Sequence, residues 1–197
     1  MEISLTFDDG PDPVGTPRVL AALKGARATA TFFVVTPLAN RYPALISDIL
    51  KGGNRIEFHC AEHIRHTDRS RKEVEEDTRT GLRDLNTLGI TPGLWRTPWG
   101  DTADWTEEIA RRFGLELVAW TVDTHDWRGD PAADMLEAVT PLLNPGGVVL
   151  MHDGLGPGAR RTDCGETAAL IPPLTERIRA LGCEPAPVKP ARNAAPA

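Results

Sequence analysis

Short apolar segments alternate with amphipathic segments along nearly the whole chain, and this alternation limits the folds that the chain can adopt. The segment 71–88, for example, places Leu82, Leu85 and Leu88 at helical spacing before Gly89. The apolar segments predict strands over 2–7, 29–35, 54–59, 93–97, 115–122 and 146–152, with a weaker strand near 183–188. The amphipathic segments predict helices over 16–25, 43–51, 70–88, 103–113, 131–143 and 166–181.

Strands that alternate with helices form a parallel sheet with right-handed crossovers. About seven such units in 197 residues predict an α/β fold, namely a small distorted (β/α)7-8 barrel, with an open doubly wound sheet as the alternative. No G-x-G-x-x-G follows the first strand, which disfavours a dinucleotide-binding version. We expect one domain over 1–184 and a flexible Pro/Ala-rich tail over 185–197.

The composition disfavours several classes of function. A net charge of −6 argues against binding to nucleic acid or to an anionic membrane, and no segment reaches the ~20 apolar residues of a membrane span. The cysteines, Cys60, Cys164 and Cys183, are too few for a disulfide framework and suit a reducing compartment. No signal peptide is visible, so we predict a cytoplasmic location, or an extracellular one if the chain is a trimmed form. We also expect a monomer.

Asp8 and Asp9 follow the first predicted strand and precede a Gly-Pro turn. Two adjacent carboxylates repel each other and raise each other's pKa, so a cation between them would stabilise the pair. The alternative is an ordinary solvated turn, because Asp, Gly and Pro are common turn residues. Residues that follow the other strands decide between these two interpretations.

Polar reactive side chains follow one predicted strand after another. In β/α barrels the carboxyl ends of the strands lie on one face, and that face carries the active site. We therefore expect a functional site where these strand ends meet. The residues concerned are Asp8 and Asp9, His59 and His63, Arg96, Asp123 and Asp126, and His152 and Asp153.

His59 and His63 are candidate metal ligands. They are four residues apart, so one helical turn can direct both imidazoles to a single point. Together with one carboxylate of the Asp8-Asp9 pair they make a two-histidine, one-carboxylate site, which suits Zn²⁺, Fe²⁺ or Co²⁺. We expect His66 to be a rim or packing residue, and Cys60 to be buried as a small residue rather than to bind metal.

Five motifs occur in order along the chain: T-F-D-D-G-P at 6–11, H-x-x-x-H at 59–63, R-x-P at 96–98, D-x-x-D-W at 123–127 and L-M-H-D at 150–153. With these motifs, and with A-T-F-F-V at 30–34, the chain resembles the polysaccharide deacetylases over about residues 3–182. These proteins are the NodB-homology domain of carbohydrate esterase family four. The resemblance implies a distorted β/α barrel that hydrolyses N-acetyl, sometimes O-acetyl, groups with a divalent metal.

The resemblance also implies roles for the residues on the metal side of the site. Asp9, His59 and His63 would hold the metal. Zn²⁺ is the expected ion, with Co²⁺, Ni²⁺ and Fe²⁺ as alternatives. Asp8 would be the general base, and Arg96 would orient it and pair with it. An ionised Asp8 beside the cation can take the proton of the attacking water.

On the substrate side, the resemblance implies that His152 is the general acid and that Asp123 tunes it. The backbone N–H near Trp99 would help to hold the oxyanion, and Leu150 would line the pocket for the acetyl methyl group. Trp99 and Trp127 are flat apolar surfaces for a sugar ring, or else simple packing residues.

The chain departs from the family pattern at a few positions beside the site. Cys60 stands where the family usually has Ser or Thr, and His66 stands where it usually has Leu. The segment 154–163 carries Arg160 and Arg161 next to the general acid. It is a lid, a guanidinium clamp for an acidic group of the substrate, or a plain solvated loop.

The expected activity is the metal-dependent removal of N-acetyl groups from N-acetylated amino sugars, such as chitin oligomers or peptidoglycan-like glycans. A small acetylated amine or amide inside the cell is the alternative substrate. Two other classes are a binding module that keeps the metal without catalysis and an oxygenase with two histidines and one carboxylate. Asp8 and His152 argue against the first, and the strand-helix alternation argues against the jelly roll of many such oxygenases.

Overall fold

A computed structural model describes residues 1–190 of the chain. Its strands are β1 (Glu2–Asp8), β2 (Thr31–Val35), β3 (Arg55–Cys60), β4 (Leu94–Trp95), β5 (Glu116–Leu117), β6 (Val122–Asp123), β7 (Val148–His152) and β8 (Glu184–Ala186). Its α-helices are α1 (Gly15–Gly25), α2 (Thr36–Arg41), α3 (Pro43–Lys51), α4 (Arg71–Thr87), α5 (Thr106–Arg112), α6 (Ala132–Val139) and α7 (Gly165–Ala180).

The strands form one parallel sheet in the order β5-β4-β3-β2-β1-β7-β6, and β8 pairs with the start of β1. This is the cyclic order of a barrel opened between β5 and β6, whereas a doubly wound sheet reverses its order at a switch point. The predicted strand over 115–122 is divided: its first part, β5, pairs with β4, and β6 pairs with β7. The distorted barrel is confirmed, and the doubly wound alternative is wrong.

Side chains along β1 alternate between two environments, as the pleat of a strand requires. Ile3, Leu5 and Phe7 belong to the large apolar cluster that strands and helices share. Thr6 and Asp8 lie on the other face, where both accept a hydrogen bond from Arg96. Arg96 directly follows β4, three positions from β1 in the sheet order, so this contact spans the interior of the curled sheet.

Most predicted helices are confirmed within a few residues, and α4 begins with a capping box between Ser70 and Glu73. The helix α2 was not predicted, because six residues with a proline in the first turn are too few to show a helical period. The predicted helix over 131–143 ends earlier, and a short 3₁₀ turn that contains Pro141 follows α6. Within residues 1–190 no helix is both long and apolar enough to cross a bilayer.

The predicted tail over 185–197 is wrong in its first part. Pro185 and Ala186 belong to β8, which pairs with β1. Val188 donates its backbone N–H to Thr31 Oγ1 at 2.9 Å and packs with Phe33 and Leu94 in a second, smaller apolar cluster. Residues up to 190 are therefore part of the domain, while 191–197 lie outside the described residues. The Pro and Ala content misled the prediction because it does not reveal which residues are buried.

Candidate active site

The carboxyl ends of the strands surround a cavity of about 410 Å³. Of the residues that the sequence assigned to the site, all but Arg96, Asp126 and Asp153 line this cavity. Arg96 lies directly behind Asp8. The predicted convergence of the strand ends is thereby confirmed. It follows from the topology, because parallel neighbouring strands end at the same edge of a sheet.

Asp8 and Asp9 reach the same cavity although they are adjacent in sequence. Asp8 is the last residue of β1, and Asp9 has a φ of 72°, in the left-handed region. Neighbouring side chains on a regular strand point to opposite faces, so this change of backbone direction is what brings the second carboxylate beside the first. The interpretation of the pair as a plain solvated turn is wrong, because both side chains are buried.

Asp9, His59 and His63 form a candidate metal site. Asp9 Oδ1 lies 3.3 Å from His59 Nε2 and 3.1 Å from His63 Nε2, and one ligand atom from each residue lies within 4.8 Å of the others. Among the described residues, Asp9 Oδ1 and His59 Nε2 are buried without a hydrogen-bond partner. Buried polar atoms of this kind normally have a partner, and a cation would satisfy both.

The tautomer of His59 also fits a metal ligand. Its Nδ1 lies 2.6 Å from the carbonyl oxygen of Arg96, which can only accept a hydrogen bond, so Nδ1 carries the proton. The lone pair of neutral His59 is therefore on Nε2, the atom that faces Asp9. Burial alone would raise the pKa of Asp9, but the His59 and His63 side chains beside it lower this pKa well below its usual range. A carboxylate that stays ionised in this site is a suitable ligand for a divalent cation.

His63 reaches the site from a loop, so the predicted helical turn between His59 and His63 is wrong. His59 is still in β3, and residues 61–65 are irregular. Asp77 of α4 holds this loop: it accepts hydrogen bonds from the backbone N–H groups of Ala61 at 3.1 Å and Glu62 at 2.7 Å. The sequence prediction missed Asp77, which lies in a charged helical segment that resembles a solvated face.

Asp8 is paired with Arg96, as predicted. Arg96 Nη1 donates to Asp8 Oδ1 at 2.9 Å and to Thr6 Oγ1 at 2.7 Å, and the guanidinium lies 4.3 Å from the centre of the Phe33 ring. Arg96 is fully buried. Burial lowers its pKa, and Asp8 opposes this shift. Since the carbonyl of the same residue accepts a hydrogen bond from His59, Arg96 links the predicted base to the candidate metal site.

The partner of His152 is Asp126, so the prediction of Asp123 is wrong. His152 Nδ1 lies 2.7 Å from Asp126 Oδ1, and the His152 backbone N–H donates to Asp126 Oδ2 at 3.0 Å. Asp123 lines the cavity but accepts from the backbone N–H of His125 at 2.8 Å, and its Oδ2 lies 3.2 Å from His125 Nδ1. Asp126 takes the role that was predicted for Asp123, and His125, with a φ of 53°, turns the chain between the two aspartates.

The environment of His152 favours its charged form. Burial alone would lower the pKa of His152, but Asp126 outweighs burial and raises it to about 9. Asp126 is fully buried, and its own pKa is lowered because His152 and Arg161 outweigh burial. His152 therefore carries a proton at neutral pH, as an acid must before it can protonate a leaving group.

The segment 154–163 is neither a plain solvated loop nor a clamp open to the substrate at Arg161. Only 5% of the Arg161 side chain is exposed, and the guanidinium donates to Asp126 Oδ2 at 2.7 Å. Arg160 is exposed and lies 5.6 Å from the centre of the Trp127 ring. Gly156 and Ala159 of the same loop line the cavity, so the loop forms one wall of the site.

Three tryptophans line the cavity: Trp99 and Trp127, as predicted, and Trp120, which the sequence prediction missed. Trp99 is 40% exposed, and the Arg65 guanidinium stacks on it at 4.6 Å. Trp120 lies against Gly100, where any Cβ would collide with the indole. Its position in the strand segment 115–122 gave no signal, because a tryptophan there reads as a core residue.

Two residues that the sequence excluded from the metal site are indeed packing residues. His66 is 4% exposed, its Nδ1 lies 3.1 Å from Thr106 Oγ1, and its ring lies 5.1 Å from that of Trp95. Burial lowers the pKa of His66 to about 4. Cys60 is buried at the end of β3, and burial raises the pKa of its thiol well above the ordinary value.

Comparisons with known proteins agree with this geometry. The family model for polysaccharide deacetylase matches residues 1–118. The chain is 34% identical over 154 residues to the peptidoglycan-N-acetylglucosamine deacetylase of Bacillus cereus, which covers 77% of this chain and 72% of the relative. It is 34% identical over 168 residues to a chitooligosaccharide deacetylase of Bradyrhizobium sp., with 81% and 74% covered.

A solved structure shows the same fold. The family 4 carbohydrate esterase from Streptomyces lividans, in complex with acetate, superposes with a TM-score of 0.83 at 28% identity and covers 93% of this chain and 91% of its own. The barrel, the matched family model and the relatives all agree. The chain belongs to the polysaccharide deacetylase family.

Proposed function

We propose that this protein removes acetyl groups from the nitrogen of N-acetylated amino sugars, with a divalent cation held by Asp9, His59 and His63. The observation that carries this proposal is one cavity that combines three ligand atoms within 4.8 Å, a carboxylate paired with a buried arginine, and a charged histidine. Hydrolysis of an amide needs a base for water and an acid for the leaving amine. The cavity has a candidate for each.

A divalent cation in this site would supply Lewis acidity to the amide carbonyl and to water. Asp8, oriented by Arg96, is placed to accept the proton of the attacking water. His152 holds its Nδ1 against Asp126, which leaves Nε2 to give a proton to the nitrogen of the leaving amine. When the C–N bond breaks, acetate and a free amino group are formed. The backbone N–H of Trp99 stays a predicted donor to the oxyanion.

The shape of the site supports an amino sugar within a longer glycan. Leu150 lines the cavity and is 5% exposed, so an apolar surface is present for a methyl group. Trp99 at the rim is large, flat and partly exposed, and it can stack against a neighbouring sugar ring. The relatives named above act on peptidoglycan and on chitin oligosaccharides, which are glycans of this kind.

The test is acetate release from peptidoglycan, chitin oligomers and monomeric N-acetylglucosamine, measured with metal-free protein before and after addition of Zn²⁺, Co²⁺ or Ni²⁺. We expect release only after a metal is added, and faster release from oligomers than from the monomer. Absence of acetate with every metal and substrate would overturn the proposal. Faster turnover of small acetylated amines than of any glycan would favour the alternative substrate class.

Metal affinity is a second readout that does not depend on activity. Titration calorimetry on the His59→Ala protein should show at least about tenfold weaker Zn²⁺ binding than on the wild type. His125→Ala is the matched control, because His125 is partly exposed and lies outside the ligand set. Equal affinities in all three proteins would contradict the assigned site. The monomeric state and the cytoplasmic location stay predictions, which sedimentation velocity and cell fractionation would test.

A further inference from the structure

Arg161 lies in the loop between β7 and α7 and reaches beneath the strand end that carries His152. Its guanidinium donates to Asp126 Oδ2 at 2.7 Å and to the carbonyl oxygens of His152 and Gly154, both at 2.9 Å. It also contacts Thr167 Oγ1. We propose that Arg161 is a positioning residue for His152, the acid of the reaction. Arg161 holds Asp126 against His152, and the two cations share the negative charge of the Asp126 carboxylate.

The contacts of Asp126 show how the position of its carboxylate is determined. Oδ1 faces His152 Nδ1 at 2.7 Å. Oδ2 accepts from the His152 backbone N–H at 3.0 Å, from Thr167 Oγ1 at 2.7 Å and from Arg161 Nη1. Arg161 is the only one of these donors that carries a permanent charge, since an arginine does not lose its proton in proteins. A fully buried carboxylate is costly unless it is paired, so Arg161 allows Asp126 to stay ionised here.

The charge of Arg161 acts on His152 as well as on Asp126. A cation that already partly neutralises Asp126 makes a second positive charge next to that carboxylate less favourable. Arg161 thus limits how strongly Asp126 can hold the proton on His152, and an acid that binds its proton less tightly gives it up more readily. The charged groups on the elements around His152 are Asp8 and Asp9 after β1, Asp123 in β6, Asp126, Asp153 and Arg161.

Arg161 also connects the acid to the wall of the cavity. Its two bonds to backbone carbonyls lie at the end of β7 and at the start of the loop that lines the site. Loss of these bonds would free the backbone that carries His152 from the loop that faces the substrate. A purely structural residue would change stability and rate together, without changing the pH dependence of the reaction.

The kinetic part of the test rests on the proposed deacetylase function. The neighbouring residue Arg160 supplies a matched control. Arg161→Gln removes the buried charge and most of the hydrogen bonds, whereas Arg161→Lys keeps a charge but not the planar fork of donors. Arg160→Gln makes the same charge change one residue away, at an exposed side chain that lies over Trp127. The measurements are the pH dependence of kcat for acetate release at equal metal loading, and the titration of the His152 imidazole by NMR.

In Arg161→Gln we expect the basic limb of kcat and the His152 imidazole titration to move upward by about one pH unit, with kcat at pH 7.5 about tenfold lower. Arg161→Lys should keep the position of the basic limb but lose a similar part of kcat. Arg160→Gln should keep the basic limb and the His152 titration of the wild type. Equal titration of His152 in Arg161→Gln and Arg160→Gln would overturn the inference.

The NMR titration separates this inference from the proposed function. If the wild type releases no acetate, the proposed function fails, while the imidazole titration still tests the charge of Arg161. If circular dichroism shows that Arg161→Gln does not fold, Arg161→Lys decides. A wild-type kcat in that variant would overturn the positioning role, and a reduced kcat with an unchanged basic limb would support it.

Discussion

Replacement of Asp126 by asparagine tests the assignment of the partner of His152, because asparagine keeps the shape of the side chain and removes its charge. With the pKa of His152 near 9, about 97% of the imidazole is protonated at pH 7.5. Without the Asp126 carboxylate, burial still lowers this pKa and only Asp9 and Asp8 still raise it, so it should fall toward the ordinary value of 6.5. At that value about 9% of His152 is protonated at pH 7.5.

The loss of protonated acid alone therefore predicts about a tenfold lower kcat for Asp126→Asn at pH 7.5, and a basic limb that moves down in pH. The assay is acetate release from a chitin oligomer across pH 6 to 10. Wild type and variant are compared at equal metal loading, because a cation near Asp9 repels an imidazolium in both.

Asp123→Asn is the matched control, since Asp123 lines the same cavity but pairs with His125. It removes the same charge from the cavity wall but should leave the basic limb within a few tenths of a pH unit of the wild type. A basic limb that moves in Asp123→Asn and stays in place in Asp126→Asn would refute the reasoning. Thermal melting of both proteins checks that the buried Asp126 position tolerates the amide.

Two further predictions concern the metal site and stability. Gly156→Ala should weaken Zn²⁺ binding about tenfold in titration calorimetry, because the added Cβ would overlap Asp9 Oδ2. Gly25→Ala is the control and should keep the wild-type affinity, because a Cβ there meets nothing within 4 Å. Equal Zn²⁺ affinities in the two variants would contradict the predicted effect of the contact. His66 has a folded-state pKa of about 4, below its unfolded value, so its contribution to stability is complete above about pH 6.5 and is lost as the pH falls toward 4. From pH 7.5 to 5 the wild type should lose up to about 2 kcal/mol of unfolding free energy more than His66→Leu, as measured by urea denaturation; identical losses would refute this.

The distorted barrel could be predicted because its evidence is local. Most strands lie in short apolar segments and most helices show an amphipathic period, and right-handed parallel crossovers leave few ways to connect them. The strand pairing at the edges of the barrel could not be predicted from the sequence. Only the structure shows that the segment 115–122 divides into β5 and β6, which pair with different neighbours, and that Val188 fills space beside Phe33. Such pairings depend on residues far apart in sequence.

The site divides in a similar way. Asp8, Asp9, His59 and His152 could be assigned from the sequence, since each stands at or next to the end of a strand and the fold places such positions on one face. The choice between Asp123 and Asp126 could not, because it depends on the left-handed conformation of one residue between them.

Side chains that come from loops or act across the barrel were visible only in the tertiary structure. The sequence by itself determined the order of strands and helices, the face that carries the chemistry and the residue types that a metal-dependent hydrolysis needs. Tertiary structure decided that Arg161 is buried against Asp126, that Trp120 faces the cavity and that Asp77 holds the His63 loop. The physical reason is that periodicity reports burial on one element, whereas the partner of a charged side chain depends on how separate elements pack and where loop backbones turn.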